Sequence, residues 1–169
     1  MINDKYKNII VRQSSLDVFN DIIKRWNEPH RFYHNIEHLT FILSEIENLY
    51  QNKVISESDY RTLIVVAFYH DVIYNPRENN NEEKSIEYFV NNNKNGFTSF
   101  SSSVVSDIIM ETKNRNKPSE KLAKIFWEID NKIITQPISN LIEYEHKIFK
   151  EYQWVAYDRY KEGRIAFLN

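Results

Sequence analysis

The sequence predicts an all-α fold, a single-domain helical bundle over residues 1–169, on three observations. Only two glycines and four prolines punctuate the 169 residues, too few for a many-turned β fold. Apolar residues recur mostly at spacings of three and four, the period of one helix face. The β-branched apolar run LIVVAFYHDVIY, residues 63–74, lies in a breaker-free segment from Asp59 to Tyr74 with no partner strands elsewhere.

Helices are predicted near 3–26, 35–51, 58–74, 80–93, 100–113, 119–131 and 138–168, the last with one break. Pro29 separates the first two. Ser56 or Ser58 can cap the third through a side-chain oxygen, and Asn75-Pro76 stops it, because the residue before proline avoids the helical region. The third helix has an apolar run with no polar face, which places it at the centre of the bundle. Gly96 suits the exit of the fourth helix, and the asparagine-rich pieces NPRENNNEE and NNNKNG read as loops. There is no internal repeat. Trp26, Trp127 and Trp154 are assigned to the core, the usual place of large aromatic side chains.

Lysine and arginine number 22 against 24 acids, a net charge of −2. So balanced a field argues against long nucleic acid and against an anionic membrane surface, and points to a small-molecule partner. The absence of cysteine excludes disulfides, thiolate catalysis, iron–sulfur clusters and zinc fingers, so any metal must use histidine and carboxylate. The start MINDKYKNIIV lacks the basic-then-apolar layout of a signal peptide, and no apolar run approaches a membrane span. The expected location is cytoplasmic.

The candidate chemistry begins with His70-Asp71 on the central helix. Burying such a pair is costly unless its polar atoms find partners, and one divalent cation satisfies both. His34 and His38 in RFYHNIEHL lie one helical turn apart if the second helix begins by Asn35, which sets both imidazoles on one side. Spacing alone leaves two readings, joint chemistry or one interfacial and one core histidine. A further carboxylate is expected from Asp130 in FWEIDNKII. Glu128, two residues away, falls on the opposite side of that helix, and Asp107 and Asp158 are rivals.

The order His38, His70-Asp71, Asp130 resembles the H…HD…D signature of the HD superfamily of metal-dependent phosphohydrolases. RFYHNIEHL, FYHDVIYNP with NNEEKS, and the terminal EGRIAFL resemble a bacterial family of predicted HD phosphohydrolases. YHNIEH also resembles the YHNxxH element of cyclic-nucleotide phosphodiesterases. The resemblance implies an HD-type bundle in which His38, His70, Asp71 and Asp130 ligate one divalent metal ion and His34 is the general acid. Mn, Fe, Co, Ni, Zn or Mg would suit such a site, with a second ion held weakly at most. The implied reaction is hydrolysis of a small phosphoester, a nucleotide being the substrate to consider first. Arg31, Lys113 and Arg164 become candidates for gripping phosphate, and Glu82 or Glu83 for orienting the attacking water.

Three features depart from that pattern. No histidine follows Thr112-Lys113 in METKNRNK, Asn131-Lys132 replaces an apolar continuation, and Phe149 stands where arginine is suggested. They support an alternative, a catalytically degenerate binding or regulatory module. A di-iron oxygenase ranks last, since it needs two further histidines between His70 and Asp130 and this chain has none there.

Overall fold

Residues 2–93, 102–114 and 116–168 are described by the computed structural model, and among them every regular element is helical. The helix expected over 3–26 is two, α1 (Asp4–Gln13) and α2 (Leu16–Trp26). The break comes from consecutive serines, whose hydroxyls compete with the backbone ladder. Ser14 donates to the Ile10 carbonyl at 2.8 Å and Ser15 accepts from the Val18 amide at 3.2 Å. The Asn35 side chain caps α3 (Ile36–Gln51) through the Glu37 amide.

Ser56 and Asp59 form a reciprocal capping box at the start of α4 (Glu57–Tyr69), satisfying two otherwise orphan donors. Every residue from Thr62 to Tyr69 is buried, and α4 packs against α1, α3, α5, α6 and α7. Helix, rather than strand, is the form of the β-branched run, and it occupies the centre. However, α4 ends five residues before the expected stop at Tyr74. Side chains from elsewhere take the carbonyls around its end: Trp26 Nε1 donates to Phe68, and the Arg31 guanidinium to Asp71 and Val72.

Then follow α5 (Asn81–Asn92), α6 (Ser102–Thr112) and α7 (Lys121–Asp130), which tightens into a 3-10 helix, Asn131–Thr135. α8 (Ile138–Glu151) and α9 (Tyr157–Leu168) show the one break expected in the last helix. Gly96 lies outside the described residues. Most of the buried apolar side chains form one core cluster from α1 through α7, and Tyr74, Tyr144 and Ile148 are buried outside it. Trp26 belongs to it, whereas Trp127 is half-buried on a cavity wall and Trp154 is 45% exposed. The expectation that all three are core is corrected. Among the described residues no helix is long and apolar enough to cross a membrane.

Candidate metal centre

The sequence places His70 and Asp71 where α4 terminates. His70 keeps helical angles, and its amide bonds the Val66 carbonyl at 2.8 Å. The negative end of a helix dipole favours a cation there. The His70 ring is 1% exposed, with Nδ1 2.9 Å from the Ala67 carbonyl. Because a carbonyl only accepts, Nδ1 carries a proton, and in the neutral ring Nε2 presents its lone pair.

Nε2 faces Asp71 Oδ2 at 3.3 Å and Asp130 Oδ1 at 3.7 Å. Neither contact has hydrogen-bond geometry, and Nε2 is a buried nitrogen without a hydrogen-bond partner. Burial opposes a charge on the ring, but the Asp71 and Asp130 carboxylates outweigh it and push the His70 pKa up to about 9. A proton or a metal cation on Nε2 is what these carboxylates favour, and a ring fixed through Nδ1–H is the form in which histidine ligates through Nε2.

His38 and Asp130 close around the same point. His38, on the buried face of α3, sets Nε2 3.1 Å from Asp130 Oδ1. Burial holds its pKa below the ordinary value despite Asp130, which favours the neutral ring. His38, His70 and Asp71 each offer a ligand atom within 4.8 Å of the others, a cluster that could hold a metal ion. Asp130, at the last turn of α7, is the fourth group on the spot. Trp26 packs on both imidazoles, with ring centroids 6.4 and 5.4 Å away, and Phe126 meets His70 edge-on at 5.2 Å.

His34 stands just before α3, its ring centroid 5.9 Å from that of His38. Its Nδ1 lies 2.7 Å from Glu151 Oε2, and Tyr74 stacks on the ring at 4.4 Å. Glu151, fully buried at the end of α8, accepts on Oε1 the amides of Phe32, Tyr33 and His34 at 2.7–3.0 Å, and on Oε2 the Tyr74 hydroxyl at 2.7 Å. Burial raises the Glu151 pKa, but His34 and the other donors more than offset it and hold it down at about 2. Burial lowers that of His34, and Glu151, Asp71 and Asp130 reverse this to a net rise. The sequence reading did not include Glu151. Its signal was an acid on the buried stripe Tyr144, Ile148, Glu151 of α8.

Arg31 does not grip an open phosphate site. Its side chain has no exposed surface, and it bonds Glu28 and the carbonyls of His34, Asp71 and Val72 while lying against Trp26 and Tyr74. It fastens the His70-Asp71 turn to the entry of α3, and the expectation of a substrate contact is corrected. Lys113 lines the cavity but is held by Glu83, by the Asn79 carbonyl at 2.7 Å and, at 3.8 Å, by Glu82. Glu82 lies on the cavity wall, its pKa raised by burial. Arg164 pairs with Glu145 and Tyr144. Glu128 pairs with Lys117 away from the centre, and Asp107 and Asp158 are exposed. Phe149 packs against Tyr157 and Tyr160, joining α8 to α9.

A cavity of about 830 Å³ opens onto the cluster, with His34, His70, Asp71 and Asp130 on its lining and Trp127, Tyr144 and Tyr152 higher on its walls. An all-α fold with a buried histidine and carboxylate cluster at the foot of an open cavity defines a candidate metal-binding protein. No family model, curated protein or solved structure matches the chain.

Proposed function

We propose that the chain is a metal-dependent phosphohydrolase of the HD type that hydrolyses a phosphoester on a small molecule, with nucleotides as the first class to test. The observation that carries this reading is the buried His70 Nε2, aimed between two carboxylates at the foot of a cavity whose wall carries a second, carboxylate-paired histidine. The residues fit a cation, since His38, His70, Asp71 and Asp130 bring two imidazoles and two carboxylates together around an unpartnered ring nitrogen. When bound, a divalent cation supplies Lewis-acid stabilisation of charge on phosphoryl oxygens and a lowered pKa for water.

The chain's own residues supply the rest. Glu151 holds His34 at Nδ1, leaving Nε2 to deliver a proton to the departing oxygen. Glu82 is the carboxylate to orient the attacking water, and Lys113 beside it offsets phosphate charge. Trp127, Tyr144 and Tyr152 suit a substrate with an aromatic ring. A second reading, a degenerate binding module, is favoured by the engagement of Arg31, Lys113 and Arg164 with groups of the protein itself.

Elemental analysis of protein purified without added metal, followed by a nucleotide-phosphoester panel with Mn, Co, Ni and Mg, separates the two. Stoichiometric metal with turnover supports the hydrolase, and metal without turnover supports the module. His34→Asn should keep the metal and lower turnover by about a hundredfold, the usual worth of a general acid. The loss should shrink on a nitrophenyl ester, whose leaving group needs little proton help. Release of the metal by His34→Asn would sink the assignment of roles.

A further inference from the structure

A second cavity, of about 680 Å³, lies on the other side of Tyr74, which lines both. Its floor includes Pro29, Phe32, Ile73 and Pro76, and its polar lining includes Arg77, Lys150 and Gln153. The acids on its lining are already matched. Glu28 pairs with Arg31 at 3.0 Å, and Glu151 takes the donors named above. Of the cations, Arg25 is taken by Asp21 at 2.8 Å. Arg77 and Lys150 differ.

Among the described residues neither has a carboxylate within ion-pairing distance. Each is instead seated on an aromatic face, Arg77 5.2 Å from the Trp154 centroid and Lys150 5.6 Å from that of Phe32. A cation on a ring face is partly stabilised but keeps its charge and its N–H donors for a ligand. The cavity therefore has two exposed cations without a carboxylate partner beside an apolar lining, in a chain whose net charge is −2.

We propose that this cavity binds a small phosphorylated molecule, with its phosphate between Arg77 and Lys150 and its carbon body on the Phe32 and Pro76 floor. The planar guanidinium presents two parallel donors to phosphate oxygens, and the ammonium adds a point charge to a third. The apolar floor makes a phosphate monoester a better ligand than the free ion. The site is separate from the metal cavity and does not depend on the hydrolase reading.

The test is calorimetric titration of the full chain in EDTA with phenyl phosphate, inorganic phosphate and benzoate at constant ionic strength. Phenyl phosphate should bind at least tenfold more tightly than benzoate. The Arg77→Gln/Lys150→Gln double variant, with unchanged circular dichroism, should bind it at least tenfold more weakly. His70→Ala should leave binding unaltered. Inorganic phosphate as tight as phenyl phosphate would still support a phosphate site and would identify the free ion as its ligand. No saturation by either phosphate up to about 10 mM, weaker than any useful site, would overturn the proposal. So would binding that survives the double variant or is lost in His70→Ala.

Discussion

The floor of the metal cavity and its outer wall are held by different means. The floor is the end of α4 with the inner faces of α3 and α7, where His38 and His70 are 5% and 1% exposed and are packed by Trp26 and Phe126. The outer wall is α8 and α9. Among residues with described side chains α9 has none buried, and Ile138, Ile142 and Tyr157 stand more than 60% exposed. The wall is joined to the floor through the buried carboxylate Glu151, which ties α8 to the loop before α3, and through the buried Tyr144 and Ile148 of α8, Tyr144 meeting the Tyr33 ring at 4.6 Å. Core packing thus fixes the geometry of the candidate metal cluster, and a buried carboxylate with a few buried side chains of α8 fixes the side on which the cavity opens. Variants in the two regions should fail in different ways.

The largest effect is expected at the floor. Replacing His38, His70, Asp71 or Asp130 singly by alanine should abolish stoichiometric metal in elemental analysis, because each removes a ligand from a four-group cluster. Asp107→Ala and Asp158→Ala, on exposed helix faces, should retain it. Full metal in Asp130→Ala would reduce the centre to the trio His38, His70 and Asp71.

Next comes Arg31→Ala. It exposes nothing to solvent directly but leaves the Asp71, Val72 and His34 carbonyls without their donor. Unsatisfied buried acceptors cost about 1–3 kcal/mol each, so a loss of about 3 kcal/mol in urea unfolding is expected, with weaker metal retention. A change below about 0.5 kcal/mol, the size of an ordinary surface substitution, would mean that the turn is held by packing alone.

These two regions also differ in how much could be read from the sequence. Helix spacing marked α3, α5, α6 and α7 closely, because amphipathic periodicity is a local property. The ends at Ser14 and Tyr69 were not legible. The first depends on hydroxyl competition for a carbonyl, the second on Trp26 and Arg31 reaching carbonyls some forty residues away. Residue type and order pointed to His38, His70, Asp71 and Asp130, which the fold gathers at one place. Arg31 was misread because an arginine beside a histidine pair resembles a phosphate grip until its carbonyl partners are known. Glu151 was missed because its partners lie 77–119 residues away.

A third test addresses the link between the regions, by comparing wild type with Glu151→Gln across pH in EDTA. Glu151 is held below its ordinary 4.5, so its stabilisation is present above 4.5 and is lost as pH falls towards about 2. His34 is held above its ordinary 6.5, so its contribution is complete below 6.5 and is lost as pH rises through the raised value. The stability difference between the two proteins should therefore be greatest between pH 4.5 and 6.5 and shrink on both sides. A difference independent of pH would show that Glu151 acts through its amide contacts alone and not through charge on His34.

The smallest effect is expected at the wall itself. Arg164 joins α9 to α8 through Glu145 and the Tyr144 hydroxyl, with its guanidinium 5.3 Å from the Tyr144 ring centroid and its side chain 15% exposed. A partly exposed ion pair with an aromatic neighbour contributes about 1 kcal/mol, and the pair is centred on Glu145 and Tyr144 rather than on His38, His70, Asp71 or Asp130. Arg164→Ala should lower stability by about that amount, keep full metal, and increase hydrogen exchange in 157–168 while leaving α4 protected. Exchange rising equally in α4 would place floor and wall in one cooperative unit, since elements that open together share the same opening free energy. The outer wall would then be part of the core's stability and not a separately held cover on it.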